Sequence, residues 1–538
     1  MSRYLKITKR IGLIGGIGVA GWALDKYFYY STIQRNVKTL VTGVIISIDY
    51  KLNFNEHSDI NALHTRVANL ILDLCKNNGG LYIKFGQQIA SVPVLPPQYN
   101  IFKALFDNAP CVEKKVVERI FLEEFGTLAQ NIYEDFDYEA IASASIAQVH
   151  KAKLKDGTVV AVKVQKPEIQ KQIYWDMICY RVVIYALEKL FDLPLYWSAD
   201  YIEFHLRQET DFINEAKNAE ICQHHINQTD LKKYVHVPKV YHEYSTKRVM
   251  TTEWIDGFSL AKKQELVDNN ISLPFVMDTI VKVFADQIFR VGFVHCDPHP
   301  GNILVRKTNG APQVVLLDHG LYVRCTPKFV DEYATFWKSL FSLDIDASSR
   351  IAKSWGIEDL NVIATATLAR PWRAGKPIHS TKTTITDLFE AQKNSKNRLS
   401  KFLKNTESLP KELIFVGRNL NCVRANNKML GSPVNRINIM ANCAAENAGL
   451  KWQTSGNTFR GEEYGLWNHL KSGFSKLMFQ TTLAMISLSF KITQIFQYLG
   501  KLISGKGSGF EDVMDSNMRR NLESMFPGMN INESAFDG

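Results

Sequence analysis

The stretch from residue 293 to residue 306, FVHCDPHPGNILVR, places His295, Asp297, His299 and Asn302 close together, directly before the strand-like run ILV. An Asp followed five positions later by an Asn is the spacing of a phosphoryl-transfer loop. In such a loop the carboxylate orients the accepting oxygen, and the amide oxygen binds Mg²⁺. The stretch therefore predicts Asp297 as the catalytic carboxylate and Asn302 as a metal ligand.

Lys163 and Glu215 supply a second pair of residues that phosphoryl transfer needs. Lys163 is centred in the β-branched run VVAVKVQKP, and Glu215 lies in the helical segment ETDFINEAKNAE. A Lys on a strand and a Glu on a following helix form the ion pair that holds nucleotide phosphates in kinase-like folds. Taken alone, a strand Lys is more often an ordinary exposed residue, so this prediction depends on the other motifs.

Asp318 completes the set, since it ends the apolar run VVLLD and precedes His319 and Gly320. An Asp-x-Gly after a strand marks the second Mg²⁺ ligand of a kinase. Glu253 and Trp254 hold the hinge-like position, where backbone groups would bind adenine. The order of all these motifs predicts ATP and Mg²⁺ as cofactors.

The loop before the Lys163 strand departs from the protein-kinase pattern. A Gly-rich loop is expected there, but the sequence reads IASASIAQVH, with Ala142, Ser143, Ala144 and Ser145. Their Cβ atoms limit how closely the backbone can approach a phosphate. We therefore expect this loop to bind nucleotide differently, and more stiffly.

The histidines around the opening stretch allow a second interpretation, a metal cluster. His295 and His299 are separated by a Pro-containing loop and not by a helical turn, so the H-x-x-x-H geometry of a zinc site is not supported. Structural or orienting roles are favoured for them and for His319. Cys296 is expected to be packed and not nucleophilic, because no base partner is apparent.

The periodicity of apolar residues predicts an α+β fold. Helical patterns run to about residue 130, and two alternating runs, SIAQVHKAKL and TVVAVKVQ, follow as a hairpin joined by KDG. A helical region covers about 168–226, and further strand candidates are VPKVYHEY, KRVMTTEWI, NILVRK and QVVLLD. The rest is helical. The chain therefore has a helical start, a small sheet-containing lobe and a larger helical lobe.

Composition narrows the class of partner. The 538 residues are 46% hydrophobic and 22% charged, and the formal net charge of +10 favours anionic partners such as a membrane surface or a nucleotide. Nucleic acid is disfavoured, because no nucleic-acid-binding motif is present. The eight cysteines form no C-x-x-C pair, which argues against a zinc ribbon or a dithiol redox site.

The N-terminus indicates targeting or anchoring. The acid-free start MSRYLKITKR precedes the uncharged segment 11–24, which is shorter than the roughly 20 residues of a membrane-spanning helix. A secretory signal, a mitochondrial presequence and a short anchor all remain open, and the missing A-x-A cleavage site weakens the first. The pattern suits mitochondrial import and inner-membrane anchoring, and Gly12 and Gly16 form a weak G-x-x-x-G pattern.

Two later apolar segments are also too short to be assigned as membrane spans. Residues 39–50 are expected to form a packed helix or a membrane-surface element, and residues 477–490 a peripheral or lobe-packing helix. Lysines 471, 476, 491 and 501 would then lie near anionic headgroups. The tail from Ser504 is expected to be flexible.

Six motifs of this chain resemble those of the UbiB family of atypical kinases, also called aarF-domain-containing kinases. They are LYIKFGQ, IASASIAQVHKAKL, VAVKVQKP, ETDFINEA, VHCDPHPGNILV and LLDHGLY, and the similarity extends from about residue 35 to 450. Within the family, HCDPHPGN with LLDHGLY is closest to the mitochondrial aarF-domain kinase one type. The resemblance implies a protein-kinase-like, two-lobed α+β fold: a small β-rich N-lobe, a helical C-lobe and a helical N-terminal extension.

The resemblance also implies roles for individual residues. Lys84 and Gln87 match the K-x-G-Q motif that covers the site where a peptide would bind, and Lys84 would pair with the acids Glu209 and Asp211. Ala142–Ser145 match the family's Ala-rich loop, with Ser143 in place of the commonest Ala. The remaining matches are Lys163 and Glu215 for the ion pair, Asp297 and Asn302 for the catalytic loop, and Asp318 for the metal Asp.

By resemblance, the chain acts in coenzyme Q or lipid metabolism at the mitochondrial inner membrane. ATPase or small-molecule kinase activity is favoured over protein phosphorylation. The alternative is a nucleotide-gated protein that binds a lipid or quinone without phosphoryl transfer. The predicted organisation is a targeting or anchor segment (1–34), the helical extension (35–130), the N-lobe (131–256), the C-lobe (257–450), and C-terminal helices with a flexible tail (451–538).

Overall fold

The computed structural model describes residues 22–26, 31–55, 58–90, 97–105, 111–192, 196, 198–358, 360–368, 409–448, 466–504 and 509–516. They form two compact units, each treated separately below. The first comprises the described residues of 22–90, 98–213 and 241–253, and the second comprises Pro97 and the described residues of 214–240 and 254–516. The apolar segment 11–21 and the glycines Gly12 and Gly16 lie outside the described residues.

The strands in the described residues are β1 (Asp135–Phe136), β2 (Ala142–Ser143), β3 (Ala147–Lys153), β4 (Val159–Gln165), β5 (Val235–His236), β6 (Val249–Glu253), β7 (Phe258–Ser259), β8 (Phe293–His295), β9 (Ile303–Thr308), β10 (Ala311–Leu316) and β11 (Tyr322–Arg324). In the first unit, β1, β3, β4 and β6 form an antiparallel sheet in that order, and β2 also pairs with β3. In the second unit, one sheet has the order β5-β10-β9-β7 and a two-stranded sheet pairs β11 with β8.

The α-helices between residues 32 and 504 are α1 (Thr32–Asn53), α2 (Ile60–Asn78), α3 (Gly80–Ala90), α4 (Lys114–Phe125), α5 (Ala129–Ile132), α6 (Glu168–Phe191), α7 (Ser198–Glu209), α8 (Phe212–Asn227), α9 (Lys263–Asp268), α10 (Leu273–Asp286), α11 (Pro327–Phe341), α12 (Ile345–Ser354), α13 (Leu360–Leu368), α14 (Glu412–Met429), α15 (Arg436–Asn447) and α16 (Leu466–Ser504), as far as the described residues show. Among the described helices, none combines the length and the apolar character needed to cross a membrane.

The hairpin β3–β4 positions the first unit's candidate site. Its turn needs Gly157, whose φ of +88° suits glycine, and alternate residues of β4 face opposite sides of the sheet. Val160, Val162 and Val164 are buried in a core that also contains Phe121 of α4. Lys163 therefore lies on the face opposite this core.

The helical extension is joined to the sheet-containing part by a buried ion pair. Arg35 of α1 lies 3.1 Å from Asp176 of α6, and both side chains are buried. Burial raises the pKa of Asp176 to about 6, although Arg35 opposes the shift. α2 is capped by Asp59, which accepts hydrogen bonds from Asn61 and Ala62 N–H.

The second unit places its candidate loop after the long helix α10. Ser272 caps α10 by accepting from Phe275 N–H, and a π-helical turn over Gln287–Val291 follows it. Gly292 then redirects the chain into β8 with φ +72°. A Cβ atom at Gly292 would lie 2.8 Å from Val330 Cγ2 of α11, so the close packing of these elements also requires glycine.

The structure confirms the predicted α+β fold, including the hairpin β3–β4 and the strands β6, β9 and β10. Two expectations are corrected. The segment VPKVYHEY, residues 237–244, is not a strand: β5 (Val235–His236) ends just before it, and His242–Tyr244 is a 3-10 turn. The tail from Ser504 is not flexible over 509–516, where Glu511 and Asp515 are buried because they pair with basic residues of α14 and α15.

The predicted domain boundaries differ from the compact units. The helical extension belongs to the same unit as the β1–β6 sheet, and the Arg35–Asp176 ion pair is a physical reason for this. Residues 214–240, predicted as N-lobe, belong to the second unit, where Asn218 donates to the backbone oxygen of His319 at 3.1 Å. The segment 477–490 is part of the continuous helix α16.

Candidate active site

The Asp297 loop is a compact turn held by its own backbone. Asp297 N–H donates to His295 Nδ1 at 3.1 Å, and His299 N–H donates to Asp297 O at 2.8 Å. Asn302 N–H donates to His299 O at 2.8 Å, and the Asn302 side-chain amide reaches Asp297 O at 3.4 Å. Asp297 and Asn302, five positions apart in sequence, are therefore brought into one turn.

Asp318 is placed next to this turn by β10. Leu317 N–H donates to Asn302 O at 2.9 Å, so the segment before Asp318 is hydrogen-bonded to the segment that carries Asn302. One Asp318 oxygen, Oδ1, accepts from Gly320 N–H at 2.9 Å. Asp297, Asn302 and Asp318 thus lie on two segments joined directly by backbone hydrogen bonding.

Two buried histidines support these segments. Burial lowers the pKa of His295, which keeps the imidazole neutral and able to accept from Asp297 N–H. His319 bonds to Tyr322 Oη at 2.9 Å through Nδ1 and to Leu316 O at 3.1 Å through Nε2. These hydrogen bonds hold the imidazole rings of His295 and His319 in fixed orientations. Within the described residues, no group of three or more His, Cys, Asp or Glu side chains is arranged to hold a metal ion.

Cys296 is a packed side chain. It is fully buried, and burial raises the pKa of its thiol well above the ordinary value. Its backbone N–H donates to Leu321 O at 2.9 Å, which joins the loop to β11. A thiol with a raised pKa carries little thiolate, so it is a poor nucleophile.

In the first unit, Lys163 lies in the middle of β4, one strand away from the beginning of the Ala142–Ser145 loop. Lys163 pairs in register with Val149 of β3 and Met250 of β6, and its ammonium lies 5.1 Å from the centre of the Phe212 ring. The loop begins as β2, which pairs with β3 opposite Val149 and Gln148. Val149 of β3 thus pairs with Ala142 on one side and with Lys163 on the other, so the beginning of the loop and Lys163 lie on the two strands that flank β3.

Lys166 ties the Ala142–Ser145 loop to the strand β4. Its ammonium donates to Ala144 O at 2.7 Å, and its backbone N–H donates to Ile146 O at 2.9 Å. Lys166 is buried, and burial lowers its pKa. The sequence analysis assigned no role to Lys166. Its place within the motif VAVKVQKP, directly before Pro167 and three residues after Lys163, could have marked it as a candidate.

The K-x-G-Q residues occupy α3 of the same unit. Lys84 Nζ lies 2.6 Å from Glu209 Oε1, one of the two acids that the resemblance pairs with it. Asp211 instead accepts from Ile213 N–H at 3.0 Å, near the start of α8. The Gln87 amide donates to Leu105 O at 3.0 Å.

Gly86, inside the same motif, is required by close packing. A Cβ atom at this position would lie 2.1 Å from Leu105 Cδ1 and 3.2 Å from Phe102 Cδ1. Only glycine therefore lets α3 pack on residues 97–105 without displacing these side chains.

The remaining predicted residues are placed individually. Glu253 ends β6 opposite Val160, and Trp254 Nε1 donates to Asp256 Oδ1 at 2.8 Å. Glu215 is buried in the first turn of α8. Because Lys163 belongs to the first unit and Glu215 to the second, their ion pair stays a prediction.

The sequence analysis missed Arg418. It lies on α14, and its Nη2 is 3.0 Å from Asp297 Oδ2. No local pattern connects residues more than a hundred positions apart, so only the packing of α14 against the catalytic loop reveals the contact.

Comparison with known proteins decides the family. Residues 104–352 match the model of the ABC1 atypical kinase-like domain. An ABC1 family protein of Schizosaccharomyces pombe is 40% identical over 448 residues, which cover 82% of this chain and 84% of the relative. The chain belongs to the ABC1 family of atypical kinases. The resemblance seen in its motifs is thereby confirmed.

Other ABC1-family relatives carry kinase names. The mouse AarF domain-containing protein kinase 1 is 33% identical, covering 80% of this chain and 86% of the relative. A Dictyostelium discoideum relative, named as a probable serine/threonine-protein kinase, is 34% identical over 81% of this chain and 64% of its own length. A Mycobacterium tuberculosis structure with erythromycin aligns with a TM-score of 0.42 at 19% identity, over 63% of this chain and 83% of that chain.

Proposed function

We propose that this ABC1-family chain is an ATP- and Mg²⁺-dependent phosphotransferase or ATPase. It acts at the mitochondrial inner membrane, in lipid or coenzyme Q homeostasis. The observation that carries the proposal is the loop in which Asp297 and Asn302 share one turn, with the segment leading to Asp318 hydrogen-bonded beside it. A carboxylate next to oxygen ligands is the set of groups that phosphoryl transfer requires.

The residues fit a magnesium–nucleotide complex by their chemistry. Mg²⁺ prefers carboxylate and amide oxygens, which Asp318 and Asn302 supply. When bound, Mg²⁺ neutralises phosphate charge and polarises the phosphoryl group. Lys163 would contribute an ammonium for the phosphates, Glu215 is the partner that the family resemblance assigns to it, and backbone near Glu253 and Trp254 would bind adenine.

Asp297 acts on the acceptor. The acceptor oxygen, from a hydroxyl-bearing lipid-like molecule or from water, attacks the γ-phosphorus while the bond from phosphorus to the β-phosphate oxygen breaks. The acceptor proton passes to the Asp297 carboxylate, and ADP leaves. A small-molecule acceptor is favoured over a peptide because the Lys84–Glu209 ion pair anchors the motif that, by family resemblance, covers the peptide site.

An anionic lipid surface is the proposed partner of the first unit. The exposed side of α1 is apolar, with Ile33, Val37, Val44, Ile48 and Leu52 each more than half exposed. The side that faces the protein is polar, since its buried residues are Thr32, Arg35, Thr39 and Thr42. A helix with an exposed apolar side can insert that side at the boundary between lipid headgroups and acyl chains. The net charge of +10 favours anionic headgroups.

The decisive experiment compares Asp297→Asn with Lys163→Ala. Asp297→Asn should lower ATP turnover in the presence of liposomes by about 10²–10⁴-fold, because it removes the general base. Its affinity for Mg–ATP should stay near that of the wild type. Lys163→Ala should lose nucleotide binding. Asp346→Asn, on the exposed side of α12, is the matched control and should behave as wild type.

Metabolite and lipid profiling of cells that carry these variants separates the two candidate functions. If cells with Asp297→Asn fail to regain the wild-type lipid and coenzyme Q profile, phosphoryl transfer is supported. If Asp297→Asn still binds nucleotide and restores the wild-type profile, the chain is a nucleotide-gated lipid or quinone binding protein. Efficient phosphorylation of generic peptides would instead favour a protein kinase.

A further inference from the structure

Helix α14 contacts the Asp297 loop through charged and amide side chains. Arg418 Nη2 lies 3.0 Å from Asp297 Oδ2, and both side chains are mostly buried, with 18% and 19% exposed. The loop between Phe293 and Ile303 contains neither Lys nor Arg. In this ion pair, the cation beside Asp297 therefore comes from a helix distant in sequence and not from the loop itself.

The same helix also holds the backbone on both sides of Asp297. The Asn419 side chain donates to His295 O at 2.6 Å, and the Asn426 side chain donates to Pro298 O at 2.9 Å. Both asparagines are buried. Three side chains of α14 thus fix one carboxylate and the two carbonyl groups that flank it.

The C-terminal half of α14 is itself anchored. Arg424 forms a fully buried ion pair with Asp515, and Lys428 lies 2.9 Å from the same carboxylate. Asn427 donates to Glu511 Oε1 at 2.9 Å. The helix that supports the catalytic loop is therefore tied to the segment 509–516 by buried charges, which removes much of its freedom to move.

We propose that Arg418 is the positioning residue for the Asp297 carboxylate, and this proposal rests on the proposed phosphoryl transfer. A guanidinium is planar and charged at every working pH, so it holds a carboxylate in one orientation. That orientation leaves Asp297 aligned for the acceptor oxygen. Arg418 acts through Asp297 and is not itself a catalytic residue.

Steady-state kinetics with Arg418→Gln and Arg418→Lys test the proposal. Arg418→Gln should lower kcat by roughly 10²-fold, the scale that misplacement of a catalytic group costs. The affinity for Mg–ATP should change by no more than about 3-fold, since the nucleotide ligands remain in place. Arg418→Lys keeps the positive charge but loses the planar guanidinium, so its kcat should lie between those of Arg418→Gln and the wild type.

Arg290→Gln is the matched control, because Arg290 pairs with Asp286 away from the loop. It should leave kcat near the wild-type value. A wild-type kcat in Arg418→Gln, or equal losses in both variants, would overturn the proposal. So would a rise in the Kd for Mg–ATP that accounts for the whole effect.

A second measurement does not depend on catalysis. Thermal unfolding of Arg418→Gln, Asp297→Asn and the double variant forms a cycle that reports whether the two side chains interact. Shifts in Tm that are not additive support the contact, and additive shifts overturn it. If the wild type shows no ATP turnover, the proposed function fails, and this cycle alone decides whether Arg418 positions Asp297.

Discussion

Lys166 is the residue that fixes the Ala142–Ser145 loop, because its buried ammonium donates to Ala144 O at 2.7 Å. We predict that Lys166→Met, which keeps the length of the side chain, weakens Mg–ATP binding about tenfold. The reason is that a hydrogen bond from a charged donor contributes about 1.5–3 kcal/mol, and its loss frees the loop. Isothermal titration with Mg–ATP measures the change.

Lys155→Met is the control for this prediction. Lys155 lies in the turn of the β3–β4 hairpin and is exposed, so its replacement should leave the Kd unchanged. An unaltered Kd in Lys166→Met would show that the loop does not need this hydrogen bond to bind nucleotide.

Local sequence patterns predicted the residues whose partners are close along the chain, and the distant Lys84–Glu209 pair was expected only from the family resemblance. Asp297 and Asn302 were found because a motif with fixed spacing folds into a turn by its own hydrogen bonds. Arg418 was not found, because its position beside Asp297 depends on how α14 packs. Lys166 is intermediate, since its partner Ala144 is separated from it by a hairpin whose register the sequence did not fix.

At the scale of secondary structure, α1 shows why an apolar segment can be predicted while its orientation cannot. Residues 39–50 were expected to form either a packed helix or a membrane-surface element. Both descriptions assume that the apolar side packs or inserts, and only the structure shows that the polar side is buried. Arg35 and Thr39 face inward because Asp176 of α6 and Tyr82 of α3 offer them partners.

The exposed apolar side of α1 leads to a prediction on membrane binding. The triple variant Val37→Ser, Val44→Ser and Ile48→Ser should bind vesicles of phosphatidylcholine and cardiolipin roughly 100-fold more weakly than wild type. The physical reason is the loss of apolar surface: insertion buries only the exposed half of each side chain, which is about half of the 1.5–3 kcal/mol for full burial. Co-sedimentation with vesicles measures the partition, and binding should weaken with added salt.

Scattered exposed apolar residues provide the matched control. Leu122→Ser, Val267→Ser and Leu343→Ser remove a similar exposed area from separate elements. Their combination should leave vesicle binding unchanged. Equal losses in the two triple variants would show that general hydrophobicity, and not the side of α1, determines binding.

The short helical segment 510–516 is another element that local sequence could not place. Its acids, Glu511 and Asp515, follow a stretch with glycines and serines, which is typical of flexible chain. The segment is ordered by long-range pairing, since Glu511 meets Arg436 of α15 and Asp515 meets Arg424 of α14. Removing Arg436 would leave the buried Glu511 carboxylate without this ion-pair partner, at a cost of about 3–5 kcal/mol.

At the scale of the whole molecule, both units bury imidazole groups in their neutral form. Burial lowers the pKa of His150 and His205 in the first unit and of His295 in the second, each below the ordinary value of 6.5. His150 bonds through one ring nitrogen to Asp137 O and through the other to Gln148, so protonation would disrupt its pairing. The pH dependence of stability is therefore a property of the entire chain and not of one site.

We predict that the free energy of unfolding falls when the pH is lowered from 7.5 to 6. A histidine whose pKa is lower in the folded protein takes up its proton first in the unfolded chain, so its stabilisation is complete above pH 6.5 and is lost as the pH falls toward the folded pKa. Each histidine contributes about 1.4 kcal/mol for every unit of its shift. Urea unfolding at several pH values measures the slope, and His150→Gln should make it shallower.

Below pH 6 the slope should lessen, because the pKa of Asp176 is raised to about 6 and this group acts in the opposite direction between 6 and 3.8. Stability that rises on acidification above pH 6, or a slope that His150→Gln leaves unchanged, would mean that these imidazoles are not held neutral by burial.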